Sequence, residues 1–193
     1  IASPDVNGEV TAFTSPGGVG ERCVAVRHFP GGNYSEDDRR SEAALCAIDF
    51  HADRHALCPK VFSTSPGTLV YELTGGEWER RRSEFERTVC GAGGLRKPGT
   101  RGEPVSFKMS VNGKTTSATF ANASLIYYHF SRYLGGSIHV PVAVLRTMDR
   151  EQHAERVSVR GLALSGQSAA LRMNHAAWQT LLAAERQPSA YEP

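Results

Sequence analysis

The 193 residues are 40% hydrophobic and carry 22 Lys and Arg against 20 Asp and Glu, a formal net charge of +2. That apolar content suffices for a buried core, while the balanced and interspersed charge argues against a nucleic-acid or membrane-surface binder. No run approaches the roughly 20 apolar residues that span a bilayer, so no membrane insertion is expected.

Read along the chain, Glu9 to Phe13 and Cys23 to Phe29 are two β-like runs. Between them, Ser15-Pro16-Gly17-Gly18-Val19-Gly20 gives a hairpin signature. That glycine-rich turn could cradle phosphate, but it matches neither a Walker nor a GxGxxG pattern and reads as a plain hairpin. Pro30 to Asn33 breaks the strand. Ser35 with Asp38 three residues later is a capping box that opens a short charged helix to about Leu45. Extended segments follow at Cys46 to Phe50, Ala56 to Phe62 and Thr68 to Leu73, with a turn at Ser65-Pro66-Gly67.

Glu77 to Val89 reads as a charged helix with Trp78, Phe85 and Val89 on one face. Residues 91–102, with five glycines and Pro98, form a Gly-rich loop between a cysteine-bearing β-rich half, 1–90, and an α+β half, 103–193. The second half opens with Val105 to Val111 as a strand, an Asn112-Gly113 hairpin turn and Thr115 to Phe120. A largely apolar helix, Ala123 to Leu134, ends at Gly135-Gly136. Then come a strand His139 to Leu145, a charged helix Asp149 to Arg156, a strand Val157 to Leu164 and a helix Ser168 to Arg186 ended by Pro188. The fold class expected is α+β, one compact domain with a mainly antiparallel sheet and helices packed on one side.

The four cysteines, Cys23, Cys46, Cys58 and Cys90, lie in the first half. An even number with no CxxC pair reads as two disulfides and an extracytoplasmic location, periplasmic or secreted. The competing reading is four reduced core thiols. Of the three pairings, the nested one is expected, Cys46 with Cys58 and Cys23 with Cys90.

The densest set of possible ligands is Cys46-x4-His51-x3-His55-x2-Cys58, with Asp49 and Asp53 between. Two thiolates and two imidazoles suit tetrahedral zinc. If the segment continues a strand, its period of two puts Asp49, His51, Asp53 and His55 on one face, so His51, Asp53 and His55 are candidate metal ligands. The other reading is a polar loop tip between disulfide-bonded cysteines, which binds no metal because the thiols are consumed.

There is no GxSxG elbow and no HExxH helix. Tyr127, Tyr128 and His129 read as packing residues with polar tips. Asn33-Tyr34-Ser35 and Asn122-Ala123-Ser124 match the N-glycosylation sequon, with Asn122 better explained as a helix N-cap.

Phe107-Lys108-Met109, then Ala123 to Leu134, then Val140-Pro141-Val142-Ala143-Val144-Leu145 follow one another in an order that resembles the small lobe of atypical kinases, of the secreted and HipA types. The resemblance covers Val105 to Leu145. It implies that Lys108 contacts nucleotide phosphates, with ATP and Mg or Mn as cofactors. An acidic partner would come from the helix, near Ser124, yet no Asp or Glu occurs from Pro104 to Met148. No HRD-like or DFG-like stretch is present, so the catalytic constellation is incomplete. The leading expectation is a protein-binding or structural module without organic cofactor, a subunit or fragment of a larger assembly, with another protein chain as partner. The alternative is the nucleotide-binding small lobe of a kinase-like protein.

Overall fold

The computed structural model describes residues 7–63, 65–91, 96–109, 122–136, 138–167 and 172–187. The Asn112-Gly113 hairpin, the Thr115 to Phe120 strand and the start of the last helix at Ser168 lie outside the described residues. The chain gathers into two compact units, each made of two stretches of sequence: 1–49 with 121–149, and 50–120 with 150–193. The cysteine-bearing half contributes to both units, and residues 91–102 fall within the second.

In the first unit, β1 (Gly8–Thr14) and β2 (Gly20–Val26) form the expected hairpin, paired antiparallel from Gly8 against Val26 to Thr14 against Gly20. Gly18 takes φ 79° at the turn, a conformation open to glycine. Ser15 closes that turn by accepting from Val19 N–H and donates to Asp149 Oδ2 at 2.6 Å. A two-residue strand, Leu145–Arg146, completes the sheet on the other side of β2. It is all that forms of the expected His139 to Leu145 strand, since Pro141 has no N–H to give a ladder. Helix α1 (Glu36–Cys46) begins with the capping box read from the sequence: Ser35 Oγ accepts Asp38 N–H, and the Asp38 carboxylate accepts Ser35 N–H. Helix α3 (Asn122–Tyr133) ends where Gly135 and Gly136 turn left-handed, at φ 84° and 69°, and Gly136 N–H bonds the Ser131 carbonyl.

In the second unit, β3 (His55–Pro59), β4 (Thr68–Glu72) and β5 (Arg101–Phe107) form an antiparallel sheet in that order. Its core joins Ala56, Leu69, Tyr71 and Leu73 to Phe85 of α2 (Arg82–Thr88), with Trp78 and Val89 packed at the edge. The expected helix from Glu77 is shorter at its start. Trp78 is held in a turn, where its indole donates to the Pro98 carbonyl at 3.2 Å and Arg80 adopts φ 63°.

Val157 to Leu164 is helical rather than extended. Helix α4 (Arg150–His153) passes through a π-helical turn (Ala154–Ser158) into α5 (Val159–Ser165). Buried His153, Val157, Gly161 and Ser165 recur every four residues, a helical period that outweighs the β-branched pair Val157 and Val159. The last helix, α6 (Arg172–Arg186), buries Trp178, Leu181, Leu182 and Glu185 along one stripe. The α+β expectation therefore holds, with two antiparallel three-stranded sheets in place of one.

Two disulfides form, and their connectivity differs from the nested expectation. Cys23 pairs with Cys46 and Cys58 with Cys90, in place of Cys46 with Cys58 and Cys23 with Cys90. The reason is that Cys46 to Phe50 is no strand: α1 runs through Cys46 and is followed by turns up to β3. Cys46 therefore ends a helix beside β2, and Cys58 belongs to a different sheet. Each bridge ties one strand to the end of one helix.

Candidate protein-docking surface

The surface is built on a buried polar layer between α1 and α3. Asp38 and Glu42 are one turn apart on α1 and both are buried. Asp38 Oδ1 and Oδ2 accept from Arg132 Nη2 and Nε at 2.7 and 3.0 Å. The Arg132 guanidinium holds that carboxyl down at about 2, with the Ser35 N–H assisting. Glu42 accepts from Tyr128 Oη at 2.8 Å and lies 3.0 Å from His28 Nε2. Burial first, and then that carboxylate, push the Tyr128 phenol far above its ordinary range.

His28 in turn stacks on Tyr34, with centroids 3.7 Å apart and planes within 5°. Tyr34 Oη accepts Phe29 N–H at 3.2 Å, which directs its own proton to His129 Nδ1 at 2.8 Å. The imidazole proton of His129 then sits on Nε2, which is buried without a hydrogen-bond partner among the described residues. Desolvation lowers the pKa of His129, opposed in part by Glu42.

Burying Tyr128, His129 and Arg132 turns the opposite side of α3 outward. That side carries Ile126, Tyr127, Phe130, Tyr133 and Leu134, which are 44%, 66%, 51%, 55% and 69% exposed. At 100° per residue these five positions span an arc of about 120°. Arg132, the one charged residue of α3, faces inward with its carboxylate. Exposed Phe29 meets Phe130 edge-on at 6.3 Å and extends the patch, and Ile138 is also exposed. A surface helix normally shows polar residues to water. Here the outward face is apolar and uncovered among the described residues, while the buried face carries the polar layer.

The residues singled out in the sequence fall elsewhere. His51 and Asp53 lie in the turns before β3 and His55 is its buried first residue, so the period-two face imagined for them does not form. Asp53 is exposed, 3.9 Å from Arg82. Among the described residues no group of three or more His, Cys, Asp or Glu side chains converges as a metal site would require. Lys108 follows the last residue of β5 and is exposed. Of Tyr127, Tyr128 and His129, the latter two pack inside as expected, whereas Tyr127 is exposed. Asn33 is exposed in the loop before α1, and Asn122 is the first residue of α3.

One arrangement the sequence did not suggest has the order of a catalytic triad. Thr68 Oγ1 lies 3.0 Å from His153 Nε2, and His153 Nδ1 lies 2.6 Å from Glu185 Oε1. Thr68 is 0% exposed and His153 1%, so no substrate reaches the hydroxyl, and the three act as a brace between β4, α4 and α6.

Compared with known protein families, curated proteins and solved structures, the chain matches none. Among the described residues no helix is long and apolar enough to cross a membrane.

Proposed function

We propose that this chain is an extracytoplasmic protein-binding module that presents α3 as an inserted helix to an apolar cleft of a different polypeptide. The observation that carries this is the charge-free outward face of α3, with Ile126, Phe130 and Tyr133 at i, i+4 and i+7 and Tyr127 and Leu134 beside them. That spacing is how an amphipathic helix anchors in a groove. Two disulfides support an oxidising compartment.

Area favours a cleft over a second copy of the chain. Five half-exposed side chains, three of them aromatic, offer on the order of 500 Å2. Two copies of α3 laid together would bury about that much each, short of the roughly 800 Å2 per partner of a stable interface. A cleft that wraps the helix also reaches Phe29 and Ile138. The tyrosine hydroxyls of Tyr127 and Tyr133 would then hydrogen-bond at its rim.

A photo-crosslinking phenylalanine at Tyr127, in protein produced in its native host, tests the proposal. A single adduct with one other polypeptide is expected, lost when Phe130→Asp is added and kept when the exposed Arg39→Asp is added instead. A self-adduct accompanied by a dimer in solution would replace the cleft by a second copy. An adduct insensitive to Phe130→Asp, or none, would overturn the reading.

A further inference from the structure

The second unit carries a separate cleft of about 410 Å3, lined by Arg87 and Gly91 at the end of α2 and by Arg160, Ala163 and Leu164 of α5. Its two guanidinium groups make no hydrogen bond or ion pair among the described residues. Arg160 is partly buried, and burial lowers its pKa, so its charge has lost water without gaining a partner. The carboxylate that attracts it, Glu86, is already committed. Glu86 Oε1 accepts Leu57 N–H at 2.9 Å and Arg156 Nη2 at 2.5 Å, and Oε2 faces Arg156 Nε at 3.4 Å. Arg87, on the same cleft, repels Arg160. Among the described residues, two like charges thus line one cleft, and the carboxylate that attracts Arg160 is bonded to Arg156.

We infer that this cleft binds a carboxylate attached to an apolar body, with Arg160 and Arg87 gripping the carboxylate and Leu164 and Ala163 covering the body. The inference is independent of the α3 reading, because it uses neither that helix nor its unit. A planar guanidinium fork matches a carboxylate in two parallel hydrogen bonds. A volume of about 410 Å3 exceeds what a bare oxyanion fills, and the wall beyond the arginines is Leu164, Ala163 and the Gly91 backbone. Gly91 also keeps the wall thin, since a Cβ there would meet Leu164 Cδ2 at 3.0 Å. The end of α2 beside Arg87 is a helix C-terminus, whose carbonyl dipoles oppose any anion and oppose a phosphate dianion more than a monoanion.

Titration of the full chain with 3-phenylpropionate, followed by calorimetry or by the arginine Nε–H signals, tests this. The expected result is saturable binding at millimolar concentration or below. Arg160→Gln and Arg87→Gln should each weaken it at least tenfold without changing Tm by more than a few degrees. The neutral amide, 3-phenylpropionamide, should not bind. Equal binding of the amide would show that the cleft recognises only apolar bodies, and binding unaffected by both substitutions would place the anion elsewhere. Either result, tighter binding of inorganic phosphate, or no saturation at tens of millimolar, overturns the assignment.

Discussion

Arg132 grips both oxygens of Asp38, at 2.7 and 3.0 Å, across 94 residues of sequence. The Asp38 carboxyl falls from 3.8 to about 2 in the folded chain, so folding favours its ionised form. The stability this contributes is fully present above pH 3.8 and is lost as pH falls through about 2. Asp38→Asn should therefore cost about 2 kcal/mol near neutral pH and flatten the acid limb between pH 4 and 2. Urea unfolding at pH 7 and pH 2.5 measures both effects. An equal loss at the two pH values would mean that the capping geometry matters and the ion pair does not.

His129 acts at higher pH than Asp38, and folding favours its neutral form. Desolvation by Phe29, Tyr34 and the body of α3 lowers its pKa, Glu42 raises it and His28 lowers it further. A histidine whose folded pKa lies below 6.5 takes up its proton more readily when unfolded. Its contribution is thus intact above about pH 6.5 and declines as pH falls toward the folded value. His129→Phe, which keeps the stack on Phe29, should shrink the difference in Tm between pH 7.5 and pH 5.5. An unchanged difference would assign that limb to other histidines.

Non-reducing peptide mapping should recover Cys23 with Cys46 and Cys58 with Cys90. Replacing either pair by alanine should cost about 2–5 kcal/mol. The second bridge closes the longer stretch, 32 residues against 23, but loop length alone separates the two by only about 0.3 kcal/mol. A much larger difference, read from denaturant midpoints, would reflect the apolar core around Cys58 and Cys90 instead of chain entropy.

Gly161 lies against the indole of Trp178, where an added Cβ would come within 2.5 Å of the ring. Gly161→Ala should destabilise by about 1–3 kcal/mol through overpacking. Gly20→Ala, whose Cβ would meet nothing within 4 Å, should change stability by less than about 0.5 kcal/mol. Thermal unfolding of the two variants side by side separates packing from the general effect of adding a methyl group.

Local signals in the sequence are legible where the chemistry is local. The Ser15 to Gly20 hairpin, the Ser35–Asp38 capping box and the Gly135-Gly136 stop each depend on neighbours a few residues apart, and each formed. The β-branched Val157 and Val159 misled because helical burial against Trp178 of α6 decides that segment, and no local signal reports it. The cysteine pairing is not legible for a similar reason: α1 runs through Cys46 and brings it to Cys23. Of the docking surface, the nearly uncharged composition of α3 was legible. Which of its faces is exposed was not, because that depends on Asp38 and Glu42 selecting Arg132 and Tyr128, 94 and 86 residues away.

The pinning of α3 also determines what an isolated copy of it could do. A twelve-residue helix alone in water is mostly unwound, because the first turn fixes several dihedrals for one hydrogen bond. In the chain, Arg132 and Tyr128 hold the helix against α1, and α1 is itself held by its cap at one end and by the Cys23–Cys46 bridge at the other. The conformational entropy of the helix is thus spent during folding, before any partner arrives. If α3 docks as proposed, a synthetic peptide with the same outward side chains would have to lose that entropy on contact and would bind far more weakly than the folded chain.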